Sequence, residues 1–380
     1  MKNLITLFAL STLFFAFGCE DDDSGMMGGT DDDGGSMITS IEISGPSNPT
    51  SYNLEVPSYL PGPIIPEDNP LTVEGVQLGR KLFYDPILSR DSTISCSSCH
   101  QQQLAFTDGQ ALSIGIEGQS ASRNAMSPVN MVFNPNNFHW DGAHESLEIQ
   151  AIHPVENMLE MDADWEEVEE RLRNHPGYPQ DFRAAFGIGN TNELTRELAT
   201  RALGQFERTM ISGQSRYDKV VSQNDGFFTE LEEEGKQLFF VEFNPSDSIS
   251  HPGCSHCHNA PRFGDNLFHN NGLDSVASLT DFADLGLGGV NGNVFDNGKF
   301  RTPTLRNIAL TAPYMHDGRF STLEEVLEQY ARGGHGIEGE SPFLTPFELT
   351  PEKQAALLAF LNTLTDEEFI NDERFSNPFE

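Results

Sequence analysis

Positive charge is scarce in this chain. Only 22 Lys and Arg stand against 58 Asp and Glu, a formal net charge of −36 at pH 7. A chain so poor in cations does not suit the phosphate backbone, so no nucleic-acid partner is expected. A partner steered by charge would carry a basic patch; a solvated acidic surface with no partner accounts for the charge equally well. Cysteine is scarce too, with five in 380 residues, at positions 19, 96, 99, 254 and 257. Once Cys19 and the two pairs are accounted for, none is left for a disulfide framework. Beyond the first 18 residues no run is apolar and long enough to span a bilayer. Strand-like alternation is nearly missing, with a short strand expected only near Ile38–Ile43.

What is present begins with KNLITLFALSTLFFAFG at residues 2–18, one early Lys followed by an apolar run, which reads as an export signal over 1–18. Ala16-Phe17-Gly18-Cys19 is a loose lipoprotein cleavage box, with Cys19 as the lipidated residue; an ordinary signal peptide with a chance Cys is the alternative. Residues 20–36, EDDDSGMMGGTDDDGGS, are acidic and Gly-rich and cannot bury a core, so 19–59 reads as a lipidated Cys and flexible tether. The protein is therefore expected in the periplasm or cell envelope, touching a membrane through a lipid anchor only.

The rest contains an internal repeat. Gly79-Arg-Lys-Leu-Phe-Tyr84 returns as Gly235-Lys-Gln-Leu-Phe-Phe240, and each copy leads to a C-x-x-C-H and then a Phe-x-Asp, Phe106-Thr-Asp108 and Phe263-Gly-Asp265, at offsets of 156 to 158 residues. Two similar modules in tandem follow. Helical periodicity dominates: Leu194, Leu198, Ala202, Phe206 and Met210 share one face, Ser321/Thr322 can cap a helix carrying Leu323, Val326, Leu327 and Tyr330, and Thr350-Pro351 opens another over Ala355–Leu364. Loops as long as Gly286–Gly298 need something to fill or fix them, which a large apolar cofactor can do. The fold class predicted is mainly α, two tandem domains over 60–225 and 226–380.

Cys96-Ser-Ser-Cys99-His100 and Cys254-Ser-His-Cys257-His258 have the haem-attachment spacing, in which two thiols bond the vinyl groups and the adjacent His meets the iron. A zinc site or a redox dithiol is the alternative; neither calls for a His directly after the second Cys twice within a repeat. The sixth position on each iron decides between catalysis and electron transfer. Candidates are His139, His144, His153, His175, His251, His256, His269, His316 and His335, the Met residues and Tyr330.

Further motifs carry a family resemblance. They are Leu78-Gly-Arg-Lys-Leu-Phe-Tyr-Asp-Pro86, Ser89-Arg-Asp91, Arg123-Asn124, Trp140-Asp-Gly142, Phe268-His-Asn270, Thr302-Pro-Thr-Leu-Arg-Asn307 and Thr311-Ala-Pro-Tyr-Met-His-Asp-Gly318. Over most of 75–365 the chain resembles the bacterial dihaem cytochrome c peroxidases and their relative, the methylamine-utilisation dihaem maturase. The resemblance implies two cytochrome c-like domains, each with one covalent haem c. In the peroxidases the first haem often carries a removable distal His sixteen residues after the proximal one; here that position is Ile116, and no His falls within 101–138, which implies a first haem that is five-coordinate without prior reduction. The family's peroxide pocket maps onto Gln150, Pro154 and Glu160: the Glu moves the peroxide proton to the leaving oxygen and the Gln orients peroxide. Without the resemblance, Gln150 and Glu160 read as surface residues.

Trp140 matches the Trp between the two haems and is implied as an electron relay, although a lone Trp is more often core. Counting fourteen residues from His316 gives Tyr330, where many members have a Met ligand and the maturase branch has Tyr; a core Tyr, or a ligand such as Met315 or a His, is the alternative. Asn124, Thr311 and Pro313 match a calcium site between the domains, and His316 matches a residue near the second haem. One departure stands out: the maturase branch carries a Trp before its second haem motif, where this chain reads His251-Pro-Gly-Cys254.

The function expected is reduction of hydrogen peroxide to water with electrons from a small donor, a cytochrome c or a copper protein (cupredoxin), with a homodimer as the family's frequent state. The rival expectations are a maturase that oxidises residues of a partner protein, and a non-enzymatic electron carrier or peroxide sensor.

Overall fold

Both copies of the repeat fold as a helix that crosses a second helix on a bare glycine. The computed structural model describes residues 40–241 and 252–380; the expected export signal, Cys19, the tether as far as residue 39, and His251 lie outside them. Residues 40–59, expected as the rest of the tether, instead pack on the fold because they carry apolar side chains that 20–36 lack: Ile43 is buried in the first core with Tyr52 against it, and Leu54, Val56 and Tyr59 pack on Leu60, Val132 and Phe133. In chain order the first half holds α1 (Val73–Tyr84), α2 (Cys96–Cys99), α3 (Leu147–Gln150), α4 (His153–Glu156), α5 (Trp165–Asn174), α6 (Tyr178–Phe186) and α7 (Arg196–Glu207). The short α8 (Arg216–Val221) leads into the second half, with α9 (Glu230–Phe240), α10 (Leu287–Asn291), α11 (Leu323–Arg332), α12 (Pro351–Asn362) and α13 (Glu367–Ile370). Two-residue strands β1 (Phe268–His269) and β2 (Phe300–Arg301) pair antiparallel, Phe268 opposite Arg301. The described residues are thus mainly helical, and none of their helices is long and apolar enough to cross a membrane.

Helix α1 packs on α7, and α9 on α12. A Cβ built on Gly79 would overlap the Ala202 carbonyl, and one on Gly235 the Ala356 carbonyl. Only glycine permits these approaches. They set Phe83 against Phe206, ring centroids 5.4 Å apart, and Phe239 against Phe360 at 5.0 Å. The repeated sequence therefore encodes a repeated helix crossing.

Two apolar cores result. Leu82, Phe83, Phe106, Phe182 and Phe206 belong to the first; Phe239, Phe263, Leu327, Leu357 and Phe360 to the second. The chain's end returns to the first core with Phe369, Ile370 and Phe375. It is held there by Gln102 Nε2 on the Asp372 carbonyl (2.8 Å) and Arg80 Nε on the Ser376 carbonyl (2.7 Å). At the crossover between halves the buried Asp366 carboxylate accepts from Ser212 Oγ, Gly213 N and Gln214 N at 3.0, 2.9 and 2.8 Å.

Local details differ from the periodicity. Helix α7 starts at Arg196, so Leu194 and Met210 are fully buried just outside its ends. Thr322 and Thr350 cap α11 and α12 as expected, but α12 stops at Asn362. The strand expected near Ile38–Ile43 is, in its described part, a single bridge between Glu42 and Asn190. The long loop 286–298 has structure of its own: it contains α10 and a 3-10 turn, and Leu287 N–Lys299 O (2.9 Å) and Gly298 N–Leu285 O (3.0 Å) close its base.

Candidate functional site

The two C-x-x-C-H segments are short helical turns with the same exit. His100 N bonds the Cys96 carbonyl and His258 N the Cys254 carbonyl, each at 2.9 Å. Phe106 and Phe263 follow with left-handed φ of 63° and 54°, which side chains seldom adopt. That turn brings the Phe106 carbonyl to 2.9 Å from His100 Nδ1 and the Phe263 carbonyl to 3.0 Å from His258 Nδ1. Asp108 and Asp265 cap the next turn, accepting from Gln110 N and Leu267 N. The Phe-x-Asp repeat is thus the device that holds each imidazole. A carbonyl on Nδ1 fixes the proton there and leaves Nε2 as a metal ligand. Burial keeps both rings neutral by lowering their pKa values.

The four cysteines form no disulfide. Burial pushes the thiols up, Cys99 to about 11, Cys254 to about 12 and Cys96 further, so none of the three is a ready thiolate for dithiol exchange. The one cluster of potential metal ligands among the described residues, Cys257, Asp265 and His269, leaves the other three cysteines out. The donor set therefore fits covalent haem twice: paired thiols beside an imidazole with a free Nε2, each pair opening on a cavity.

The first cavity, about 480 Å³, is lined by Cys96, Cys99 and His100 and also by Gln150, Pro154 and Glu160. Gln150 ends α3, Pro154 is the second residue of α4, and Glu160 lies in the turn that follows. Asn157 Nδ2 holds Glu160 Oε1 at 2.7 Å, leaving the other oxygen available. Ile116 is not in this wall. Ile114 and Gly115 are, and Ile116 N instead bonds the Glu160 carbonyl at 2.9 Å. His139, His144 and His153 line the same cavity, with the last two rings stacked at 4.1 Å. Burial and the two neighbouring histidines lower the His144 pKa to about 4.

The second cavity, about 240 Å³, is lined by Cys254, Cys257, His258, Met315, His316 and Tyr330. Tyr330 sits in the last turn of α11, on the face that buries Leu323 and Leu327. Asn271 Nδ2 lies 3.5 Å from Tyr330 Oη and 3.6 Å from Met315 Sδ, so both candidate ligands meet at one amide. Burial pushes the Tyr330 phenol up to about 12. His316 stacks flat on Phe300 at 3.6 Å. His175, His256 and His335 line neither cavity; His256 stacks on Phe343 instead.

Asn124, Thr311 and Pro313 share the second cavity's wall. Asn124 Nδ2 donates to the Gln110 and Ala111 carbonyls (2.9 and 3.2 Å), leaving Oδ1 for another partner. The Asn124 carbonyl accepts Trp140 Nε1 at 2.9 Å. Trp140 lines the second cavity while its neighbours His139 and Asp141 line the first. Arg123 joins the halves here, with Asp141 at 2.5 Å and both oxygens of Asp284 at 2.8 Å. Arg301, in the wall of both cavities, and Glu207, in the first, were not singled out by spacing. Arg301 directly precedes the Thr302–Asn307 motif, and Glu207 directly follows the apolar face of α7; adjacency was the available signal.

The family described as "Di-haem cytochrome c peroxidase" matches residues 73–226. The methylamine utilization protein MauG of Methylorubrum extorquens is 34% identical over 80% of this chain and 81% of its own length. The cytochrome-c peroxidase IdrP1 of Pseudomonas sp. (strain SCT) is 30% identical over 89% and 93%. A solved MauG-like protein associated with microbial copper homeostasis is 37% identical, with a TM-score of 0.78 over 87% of this chain and 100% of its own. The chain belongs to the di-haem cytochrome c peroxidase family, whose members are oxidoreductases with two c-type haems in two cytochrome c-like domains.

Proposed function

We propose that this chain reduces hydrogen peroxide to water with electrons from a small redox protein, a cytochrome c or a copper protein, and that its first haem accepts peroxide without prior loss of a ligand. The observation that carries the reading is the contrast between the cavities. Behind identical His–carbonyl supports, one collects Gln150, Pro154 and Glu160, the other Tyr330 and Met315. When bound, the haem irons supply the peroxide-binding centre and the electrons.

The chain's own residues supply proton handling and position. Three carboxyl groups line the first cavity. Arg123 and His139 hold Asp141 well below the usual range, and burial pushes Glu207 up to about 8, which keeps it protonated at pH 7. Glu160, held through one oxygen by the neutral Asn157 amide, is the group suited to take a proton from one peroxide oxygen and return it to the other. Gln150 orients the peroxide. Pro154, lacking an N–H, opens α4 and shapes the wall. With haem bound, His258 and Tyr330 would hold the second iron, and Trp140, in the same wall, would carry electrons between the sites.

The same reading has Ca²⁺ held by Asn124, Thr311 and Pro313 with water, domains over 60–225 and 226–380, and a lipid on Cys19 that anchors the protein in the periplasm or cell envelope. A homodimer fits the family's habit. One observation favours a second reading, oxidation of residues on a partner protein: the phenol of Tyr330 in the second cavity wall. Oxidised Trp or Tyr trapped on a co-purified protein would establish it.

The test is steady-state peroxide reduction with a reduced cytochrome c. Glu160→Gln is expected to lower turnover by about 10²–10⁴-fold while two haems per chain remain. Unchanged turnover overturns the assignment of Glu160, and negligible turnover in the wild type overturns the enzyme in favour of a carrier or sensor.

A further inference from the structure

Three arginines are buried, Arg208, Arg301 and Arg306. Two have partners of opposite charge. Arg208 forks onto both oxygens of Glu148 at 2.6 and 3.0 Å. Arg306 forks onto both oxygens of Asp218 at 2.7 and 2.9 Å, and its Nε reaches the Pro261 carbonyl at 3.0 Å. Among the described residues Arg301, only 2% exposed, makes one side-chain hydrogen bond, from Nη2 to the Asn136 carbonyl at 3.1 Å. Its Nε and Nη1 are buried without a partner among the described residues. The charged group acting on it is Arg262, of the same sign; burial and Arg262 pull its pKa down to about 10, so it is still a cation at pH 7.

A guanidinium offers five N–H donors, and a buried charge is stable only when paired and hydrogen-bonded. The backbone holds Arg301 firmly where it is. It lies in β2, its N donates to the Trp140 carbonyl at 2.8 Å, and its guanidinium sits over Phe138 at 5.8 Å. Arg301 is also in the wall of both cavities. What the described residues do not supply is an anion reachable from both sides. Each haem carries two propionate carboxylates, and planar forked donors are suited to carboxylates.

We infer that Arg301 pairs through Nε and Nη1 with propionate carboxylates of both haems, a shared electrostatic anchor beside Trp140. The inference rests on the di-haem reading above. Its consequence is redox. A cation between the two groups favours the reduced state of each iron, so one side chain sets both potentials together. Arg123, in the same region, cannot substitute, because Asp141 and Asp284 already take its charge.

The experiment uses the holoprotein and reads reduction potentials by spectroelectrochemical titration, with haem per chain measured alongside. Arg301→Gln is expected to keep two covalent haems and shift both potentials to lower values; Arg301→Lys, which keeps the charge, shifts them less. A crystal structure of the wild-type holoprotein checks the pairing without any variant, with carboxylate oxygens of both haems expected within hydrogen-bond distance of Nε and Nη1. Two haems with one or both potentials unmoved, or propionates directed away from Arg301, overturn the shared anchor and leave the di-haem reading standing. Fewer than two haems in the wild type overturns both.

Discussion

On α7 of the first half, Leu203 and Glu207 face one cavity; on α12 of the second, the matching Leu357 and Leu361 face the other. The helices beneath them cross on the same glycine and the same phenylalanine pair, and the proximal imidazoles hang from the same kind of carbonyl. A duplicated scaffold thus carries two different linings. The first is the more polar, with Asp141, Glu160, Glu207 and Gln150 beside His139, His144 and His153; the second is more apolar, has no carboxyl group among its described lining residues, and offers His269, Met315, His316 and Tyr330. The scaffold sets where a haem can hang; in the function proposed above, the lining decides whether its far side is open to chemistry or closed.

The largest expected way to break this contrast is catalytic. Glu160→Gln should remove most peroxide turnover, about 10²–10⁴-fold. Tyr330→Phe should instead change the ferric spectrum of the second haem alone. A first-haem spectrum that also changed would mean the linings are not independent.

Next is the shared scaffold. Gly79→Ala and Gly235→Ala each drive a methyl into a helix carbonyl, and each should cost about 3 kcal/mol in chemical denaturation. A much smaller loss for one would show that the two crossings are not equivalent. Asp366→Ala strips three donors at the crossover of their acceptor and should cost about 2–3 kcal/mol; an unchanged midpoint would contradict the tie between halves.

The smallest effect concerns Glu207 against Leu361. Burial raises the Glu207 pKa to about 8, above the unfolded value near 4.5. The unfolded chain therefore binds fewer protons between these values, and stability is lost as pH rises from 4.5 through 8. Glu207→Gln should raise the melting temperature at pH 8 by roughly 2–4 °C, with the gain fading toward pH 5. A gain independent of pH would contradict a buried, protonated carboxyl.

Much of this was legible in the sequence because it is local. The attachment spacing, the caps Thr322 and Thr350, and the glycine repeat are short-range signals, and the structure gives the Gly79 and Gly235 pairs one physical meaning. The Phe-x-Asp repeat was visible as a pattern, but its job was not, since a left-handed φ at a phenylalanine has no sequence signal. Long-range partners were hidden as well. Nothing in residues 366–376 announces that they close the first core, and nothing around Arg301 announces that the described residues place no carboxylate on it. Ile116 was identified by counting, yet the wall there is Ile114 and Gly115, because the segment turns its Ile116 amide toward the Glu160 carbonyl.

The open first haem is the claim on which the functional account turns, and the electron paramagnetic resonance and absorption spectra of the ferric holoprotein as isolated test it most directly. One high-spin five-coordinate haem and one low-spin haem without a Met–iron charge-transfer band are the predicted result. Two low-spin signals, with His139, His144 or His153 of the first cavity wall closing the first iron, would contradict it.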